Sequence, residues 1–337
     1  FFLDTDYWPH NMANIRQMLG SPASLLLGDV FYLTRRIGGR ALAVVQGLGI
    51  KPTNPPGISV IDYVRSAVNL RNASATSAAE WFAYDVSAAI HARVLMRKEF
   101  AKIFFVSAGQ MANLGLRRCG KCEVLRPAYA VELPGFRRLA SKENIFAFAG
   151  RMVTNKGVLE LPYIYSEVAK RTGAALAVAG RFHDGATERA FAREVMRLGL
   201  DGVRLTGWLS KAELYELLSR AKALLYPSHS DAFPFVILES LACGTPVVAY
   251  DIPGPRSVYG GLPAVRFVRE FDRRAMAEEA VRLATLGDDE YSALVRDERV
   301  LSFLKEHSSW DVAAERFAER IIALGRKRCA SGGILAA

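Results

Sequence analysis

The chain has 337 residues, half of them apolar and about a quarter charged, with a net charge of +10 and four cysteines. That length holds two domains of ordinary size with a full core, the composition is globular, and the cysteines are too few for a secreted disulfide framework. No apolar run approaches the ~20 residues of a membrane span, and the opening FFLDTDYWPH has neither the basic start nor the long apolar stretch of a secretory signal, so a cytoplasmic protein is expected.

Residues 1–20 mix polar and aromatic types without a clear period, and 24–31 is apolar enough for a strand. The run ALAVV at 41–45, after Gly38-Gly39, is the best strand of this half and stops at Gln46-Gly47. KPTNPPG at 51–57 holds too many prolines for helix or central strand and reads as a surface loop. Helical spacing follows at 61–70 and again at 78–97, where Trp81, Phe82, Val86, Ile90 and Val94 share a face. KIFFVS at 102–107 reads as a buried strand with its helix at 108–116. In CGKC, Cys119 and Cys122 lack two further ligands at zinc spacing, which leaves a local disulfide or two loop thiols. The stretch 127–138, with Pro134 and Gly135, reads as a linker, so a domain boundary is expected near 140, between an N-terminal domain 1–140 and a C-terminal domain 141–337.

The second half alternates regularly. Strands are expected at 145–150, 176–180, 203–206, 224–226, 246–250 and 265–268. Helices are expected at 158–170, 187–198, 211–222, 235–243 and 276–286, with an amphipathic helix at 310–324. Gly244 sits where a left-handed helix cap belongs. The fold class is α/β, with two doubly wound Rossmann-like domains facing a cleft.

Two loops carry the chemistry. Arg151 and Lys156 lie between a strand and a helix, where two cations can hold a diphosphate, Arg through its fork and Lys as a point charge; otherwise they are unrelated surface cations. Asp231 stands at the mouth of helix 235–243 and Glu239 on its second turn. Amides at a helix start attract a diphosphate, and acids around them would accept hydrogen bonds from neutral hydroxyls. The plainer reading is that Asp231 caps the helix or its loop and Glu239 faces solvent. No GxGxxG fingerprint is present, which argues against a nicotinamide cofactor.

Asp231-Ala-Phe-Pro-Phe-Val-Ile-Leu-Glu239, followed by Ser-Leu-Ala-Cys-Gly-Thr-Pro-Val-Val-Ala, resembles the donor-site signature of family 4 glycosyltransferases, which are retaining GT-B enzymes. Gly150-Arg151, four residues and Lys156-Gly157 are similar to that family's phosphate loop. The resemblance runs in order from Asn144 to the last helix, which in similar proteins crosses back to the first domain. It implies transfer of a hexose from a UDP- or GDP-linked sugar to a hydroxyl of a glycan, lipid-linked or small-molecule acceptor, with retention and without a metal or other cofactor. Arg151 and Lys156 would neutralise the leaving diphosphate, Asp231 would hold the sugar and Glu239 the ribose. Gly150, Gly180, Trp208, Phe233, Phe235 and Val236 would line the donor. Two positions depart from the pattern: Asp231 stands where Glu is common, and Gln46 where a His approaches the acceptor. The family's usual first strand and Gly-rich loop are not recognisable, either lying upstream of residue 1 or lost. A catalytically weak nucleotide-sugar-binding protein and a GT-B epimerase therefore stay open as alternatives.

The positive charge is uneven. Residues 1–143 hold 18 Lys and Arg against 10 Asp and Glu, whereas residues 144–337 hold 26 against 24. The basic half suits an anionic membrane surface, with the protein peripheral on the inner face, or is a solvated surface with no partner. It lacks the interleaved aromatic and basic residues of a nucleic-acid binder.

Overall fold

The computed structural model describes residues 2–4, 41–45, 96, 100–132 and 142–331. Gln46, the proline-rich loop, and the expected strand at 24–31 and helix at 61–70 lie outside the described residues, as does the helix at 78–97 apart from Met96, which is in a turn.

The described strands form two parallel sheets. The first orders β1 (Phe2–Asp4), β2 (Ala41–Val45), β3 (Phe100–Phe105) and β4 (Cys122–Val124) side by side. β1 falls within residues 1–20, where the sequence shows no clear period; at three residues it is too short to show one. A disulfide joins Cys119, just ahead of β4, to Cys122, the first residue of that strand.

The second sheet contains β5 (Ile145–Ala149), β6 (Ala175–Ala179), β7 (Val203–Gly207), β8 (Ala223–Tyr226), β9 (Val247–Tyr250) and β10 (Val265–Val268), in the order β10-β9-β8-β5-β6-β7. Every pair is parallel. The central strands ALLY and VVAY are buried throughout, as apolar runs covered by helices on both faces must be. Alternation along each strand divides the core. Phe146, Phe148, Leu176 and Val178 pack with Ile164, Val168 and Met276 on one side. Ala147, Leu224 and Val247 pack with Ile237, Leu238 and Leu241 on the other.

The helices are α1 (Ala108–Asn113), α2 (Leu161–Thr172), α3 (Gly185–Arg197), α4 (Lys211–Arg220), α5 (Phe235–Ala242), α6 (Pro253–Tyr259), α7 (Arg273–Ala284), α8 (Asp288–Val295), α9 (Glu298–Glu306) and α10 (Trp310–Ser331). α2 starts three residues later than its apolar spacing predicts, because 154–156 first closes a 3-10 turn and Gly157 turns left-handed, with φ 72°. α6, α8 and α9 were not foreseen. α6 opens on Pro253 and is written in turn-forming residues, yet a proline in the first turn costs no hydrogen bond.

The two sheets meet through helices. The amide of Gly109 in α1 donates to Oγ of Ser257 in α6 at 2.8 Å. Phe317 of α10 packs edge-on to Phe104 of β3 with ring centroids 5.2 Å apart, and Arg320 reaches Glu123 at 3.3 Å. Among the described residues no helix is long and apolar enough to cross a membrane.

Candidate functional site

In the second sheet the chain order reverses between β5 and β8, which pair through Phe146–Ala223 and Ala147–Leu224. The carboxyl ends of these two strands are the switch point, where open α/β sheets take ligands in a crevice. The β5 loop carries Arg151 and Lys156, and the β8 loop carries Asp231. The loops are laced together: the amide of His229 donates to the carbonyl of Asn155 at 2.9 Å, and Oγ of Ser228 reaches the same carbonyl at 3.5 Å. Gly157 is required at this seam, since a Cβ there would lie 2.0 Å from the carbonyl oxygen of Pro227.

Within the crevice Nζ of Lys156 lies 2.5 Å from Oδ2 of Asp231 and donates to the carbonyl of Ser230 at 3.0 Å. Tyr226 at the end of β8 donates its hydroxyl to the same Asp231 oxygen. Burial first, then the Asp231 charge, pushes that phenol well above its ordinary range, so it stays a neutral donor. The pair is mostly covered, with Lys156 16% and Asp231 20% exposed, but remains reachable from the crevice.

α5 begins beside Asp231. Its N-cap is Pro234, and no side chain caps it. Asp231 is therefore not the cap that the plainer reading expected, and the first-turn amides of Phe235 and Val236 add their partial positive charge to the crevice. Glu239, one turn further on, is half-buried rather than solvent-facing. Burial pushes its carboxyl up, against the pull of the Tyr215 hydroxyl, which donates at 3.4 Å, and of Lys211. Such a carboxyl gains from further donors, as vicinal hydroxyls would provide.

The outer wall comes from neighbouring loops. Arg151, Arg181 and Trp208 line an open recess of about 480 Å³, with Trp208 70% exposed. Gly150 and Gly180, each the neighbour of one of these arginines, abut: a Cβ on Gly180, at φ 141°, would meet the Gly150 carbonyl at 1.9 Å.

The structure thus ties Lys156 to Asp231 at the switch point, just ahead of the start of α5, and sets Arg151 with Arg181 and Trp208 around a recess next to the abutting Gly150 and Gly180. Phe233 needs correcting as a lining residue: its side chain is only 6% exposed and packs against Tyr129 and Tyr259, with ring centroids at 5.0 and 5.6 Å. Phe235 is half-buried against Tyr129, 4.5 Å between centroids. Arg181 and Tyr226 were not singled out from the sequence. Nor was a buried cluster behind the loops, in which His229 is flanked by Glu160 and Glu270.

Two parallel α/β sheets, with the site at the switch point of the second, define a GT-B fold, and solved structures agree. Sucrose-phosphate synthase from Thermosynechococcus elongatus superposes with a TM-score of 0.68 at 18% identity, covering 90% of this chain and 72% of that one. HepE of Anabaena in complex with UDP and glucose gives 0.66 at 13% identity, covering 88% and 76%.

Residues 132–285 of the chain match the family model described as glycosyl transferases group 1. Among curated proteins it is 32% identical over 155 residues to a glycogen synthase of Mycobacterium tuberculosis, covering 41% of this chain and 36% of that protein. It is 34% identical over 128 residues to a D-inositol 3-phosphate glycosyltransferase of Segniliparus rotundus, covering 37% and 27%. The chain thus matches roughly a third of the length of these curated relatives.

Proposed function

We propose that this protein is a glycosyltransferase that moves a hexose from a UDP- or GDP-linked sugar to a hydroxyl acceptor with retention. The observation that carries this reading is the Lys156–Asp231 pair, set at the switch point beside the uncapped start of α5. A diphosphate entering there meets the Lys156 ammonium, the Arg151 guanidinium and the amides of Phe235 and Val236. Lys156 exchanges Asp231 for a phosphate oxygen. Asp231, released, accepts hydroxyls of the sugar, and Glu239 accepts those of the ribose. As the bond from the anomeric carbon to the phosphate breaks, negative charge grows on the leaving oxygen. Fixed cations and amides in a partly dry crevice stabilise that charge more than water could. The acceptor hydroxyl adds on the same face and passes its proton to the departing phosphate. This scheme uses no metal.

The activities named for the relatives support a transferase, and the structure of HepE with UDP and glucose supports a nucleotide sugar as donor. A glycan, lipid-linked or small-molecule acceptor belongs to this reading. So does a peripheral position on an anionic membrane surface, which draws on the basic surplus of residues 1–143.

Thermal melting against UDP, GDP, ADP, dTDP and their common sugar conjugates is the test, because a ligand that binds only the folded state must raise the midpoint. A rise with one base selects the donor for acceptor screens. Product analysis then separates a retained glycoside from free sugar or an epimer. A cooperative melt that no nucleotide moves would remove the donor site from this account.

A further inference from the structure

Behind the two site loops lies a charged cluster to which the scheme above gives no part. His229 is 4% exposed, and Glu160 and Glu270 are 2% exposed. Nδ1 of His229 lies 2.9 Å from Oε1 of Glu270, and Nε2 contacts Oε1 of Glu160. The second oxygen of Glu160 accepts from the Tyr250 hydroxyl at 2.5 Å. With a carboxylate at each ring nitrogen, the imidazole donates from both and is held as a cation. Glu160 is the N-cap residue of α2, yet its carboxylate makes no capping hydrogen bond, because it turns inward to His229. The ring of Phe271 stacks on the imidazole at 4.4 Å and 22°. Phe271 does so from φ 66°, a left-handed backbone that bulky residues avoid.

The three partners come from three separate segments: Glu160 from the start of α2, His229 from the β8 loop and Glu270 from just after β10. Within this arrangement the main chain of His229 is tied to Asn155, the neighbour of Lys156, and Asp231 follows two residues later. A buried ion triad is weak as a source of stability, since well-packed apolar residues often do as well. Its strength is geometric: it allows one relative placement of the segments that bear it.

We propose that His229 is a positioning residue of the donor site: clamped between Glu160 and Glu270, it fixes the β8 loop against the β5 loop. It thereby sets the Lys156–Asp231 pair where a diphosphate can replace Asp231 on Lys156. The inference rests on the donor-site reading above and deepens it. His229 touches no substrate and acts through Lys156, which makes the claim separable from a general structural role.

A double-mutant cycle on the full chain tests it, with UDP, GDP, ADP and dTDP titrated by calorimetry to millimolar concentration and folding checked by melting. His229→Gln should weaken the nucleotide that wild type binds by on the order of tenfold or more. In a Lys156→Ala background the same change should cost less than about twofold, because the group it positions is gone. Equal losses in both backgrounds, or no loss in a folded His229→Gln, would overturn the inference while leaving the donor site intact. If His229→Gln does not fold, Glu270→Gln, which keeps an acceptor toward Nδ1 but removes one charge, goes through the same cycle with the same two outcomes. A wild type that melts cooperatively and binds none of the four nucleotides would overturn the donor-site reading itself, and the inference with it.

Discussion

Nζ of Lys156 and Oδ2 of Asp231 lie 2.5 Å apart, so the cation and the acid of the two site loops are each other's partners. A diphosphate must displace Asp231 from the ammonium, an interaction worth on the order of 1–2 kcal/mol for a partly exposed, charge-assisted bond. Asp231→Asn is therefore expected to leave the affinity for bare UDP or GDP unchanged or to raise it up to about tenfold, since 1.4 kcal/mol is a factor of ten. It should abolish the preference for the sugar conjugate. Lys156→Ala should weaken both forms by about tenfold or more. Calorimetric titration of the two variants with nucleotide and sugar nucleotide checks the signs. A loss of bare-diphosphate affinity in Asp231→Asn would mean that the pair is needed intact.

Gly157 holds the seam between the same loops, with φ 72° and the Pro227 carbonyl 2.0 Å from where a Cβ would stand. Gly157→Ala must accept a left-handed backbone, about 1–2 kcal/mol, and must also push the loops apart against backbone atoms. We expect a loss of at least ~2 kcal/mol, a fall in the melting midpoint of several degrees, and weaker nucleotide binding by the protein that remains folded. A variant that melts like wild type would mean that the loops separate freely.

The alternation that builds the second sheet was legible because its physical causes are local. VVAY of β9 is a β-branched run of the kind buried in parallel sheets, and Gly244 closes α5 in the left-handed conformation, φ 68°, that its position predicted. Boundaries slipped where local chemistry was mixed, as at Gly157, which delays α2, and in the Gly- and Pro-rich α6. Phe233 and Phe235 flank one proline in the acidic loop, and nothing in that spacing says that Phe233 turns inward while Phe235 stays half-buried. The His229 cluster was illegible for a different reason. Its carboxylates are 69 and 41 positions away, and only the strand order of the sheet brings them to the ring.

Among the described residues two histidines are buried, and they pull the pH dependence of stability in opposite directions. Burial alone would lower the His229 pKa, but Glu160 and Glu270 override it and raise it from 6.5 to about 10. Its contribution is thus fully present below pH 6.5 and is lost as pH rises toward 10. His307, whose Nδ1 bonds the Tyr129 carbonyl at 2.6 Å, is instead lowered by burial, which outweighs that bond. The unfolded chain protonates it first, so stability falls as pH drops below 6.5. Melting midpoints from pH 5 to 9.5 should show the alkaline decline flattened in His229→Gln and the acid decline flattened in His307→Gln. Curves that run parallel to wild type in both would mean that neither imidazole is shifted in the native state.

Lys142 offers a counterpart in which stability and binding separate. Its Nζ donates to the Ser219 carbonyl at 2.6 Å, to Oγ1 of Thr245 at 2.8 Å and to the Cys243 carbonyl at 3.4 Å. One cation therefore serves the C-terminal ends of both α4 and α5, where the helix dipoles favour positive charge. Lys142→Ala leaves these acceptors short of a charged donor, at about 2–3 kcal/mol, and should lower the melting midpoint by several degrees. The start of α5, which faces the crevice, keeps its geometry, so nucleotide affinity in the folded fraction should change less than about twofold. A midpoint equal to wild type would mean that water caps these carbonyls as well as Lys142 does. A large loss of affinity with the midpoint retained would mean that strain at the far end of α5 reaches the diphosphate through the helix.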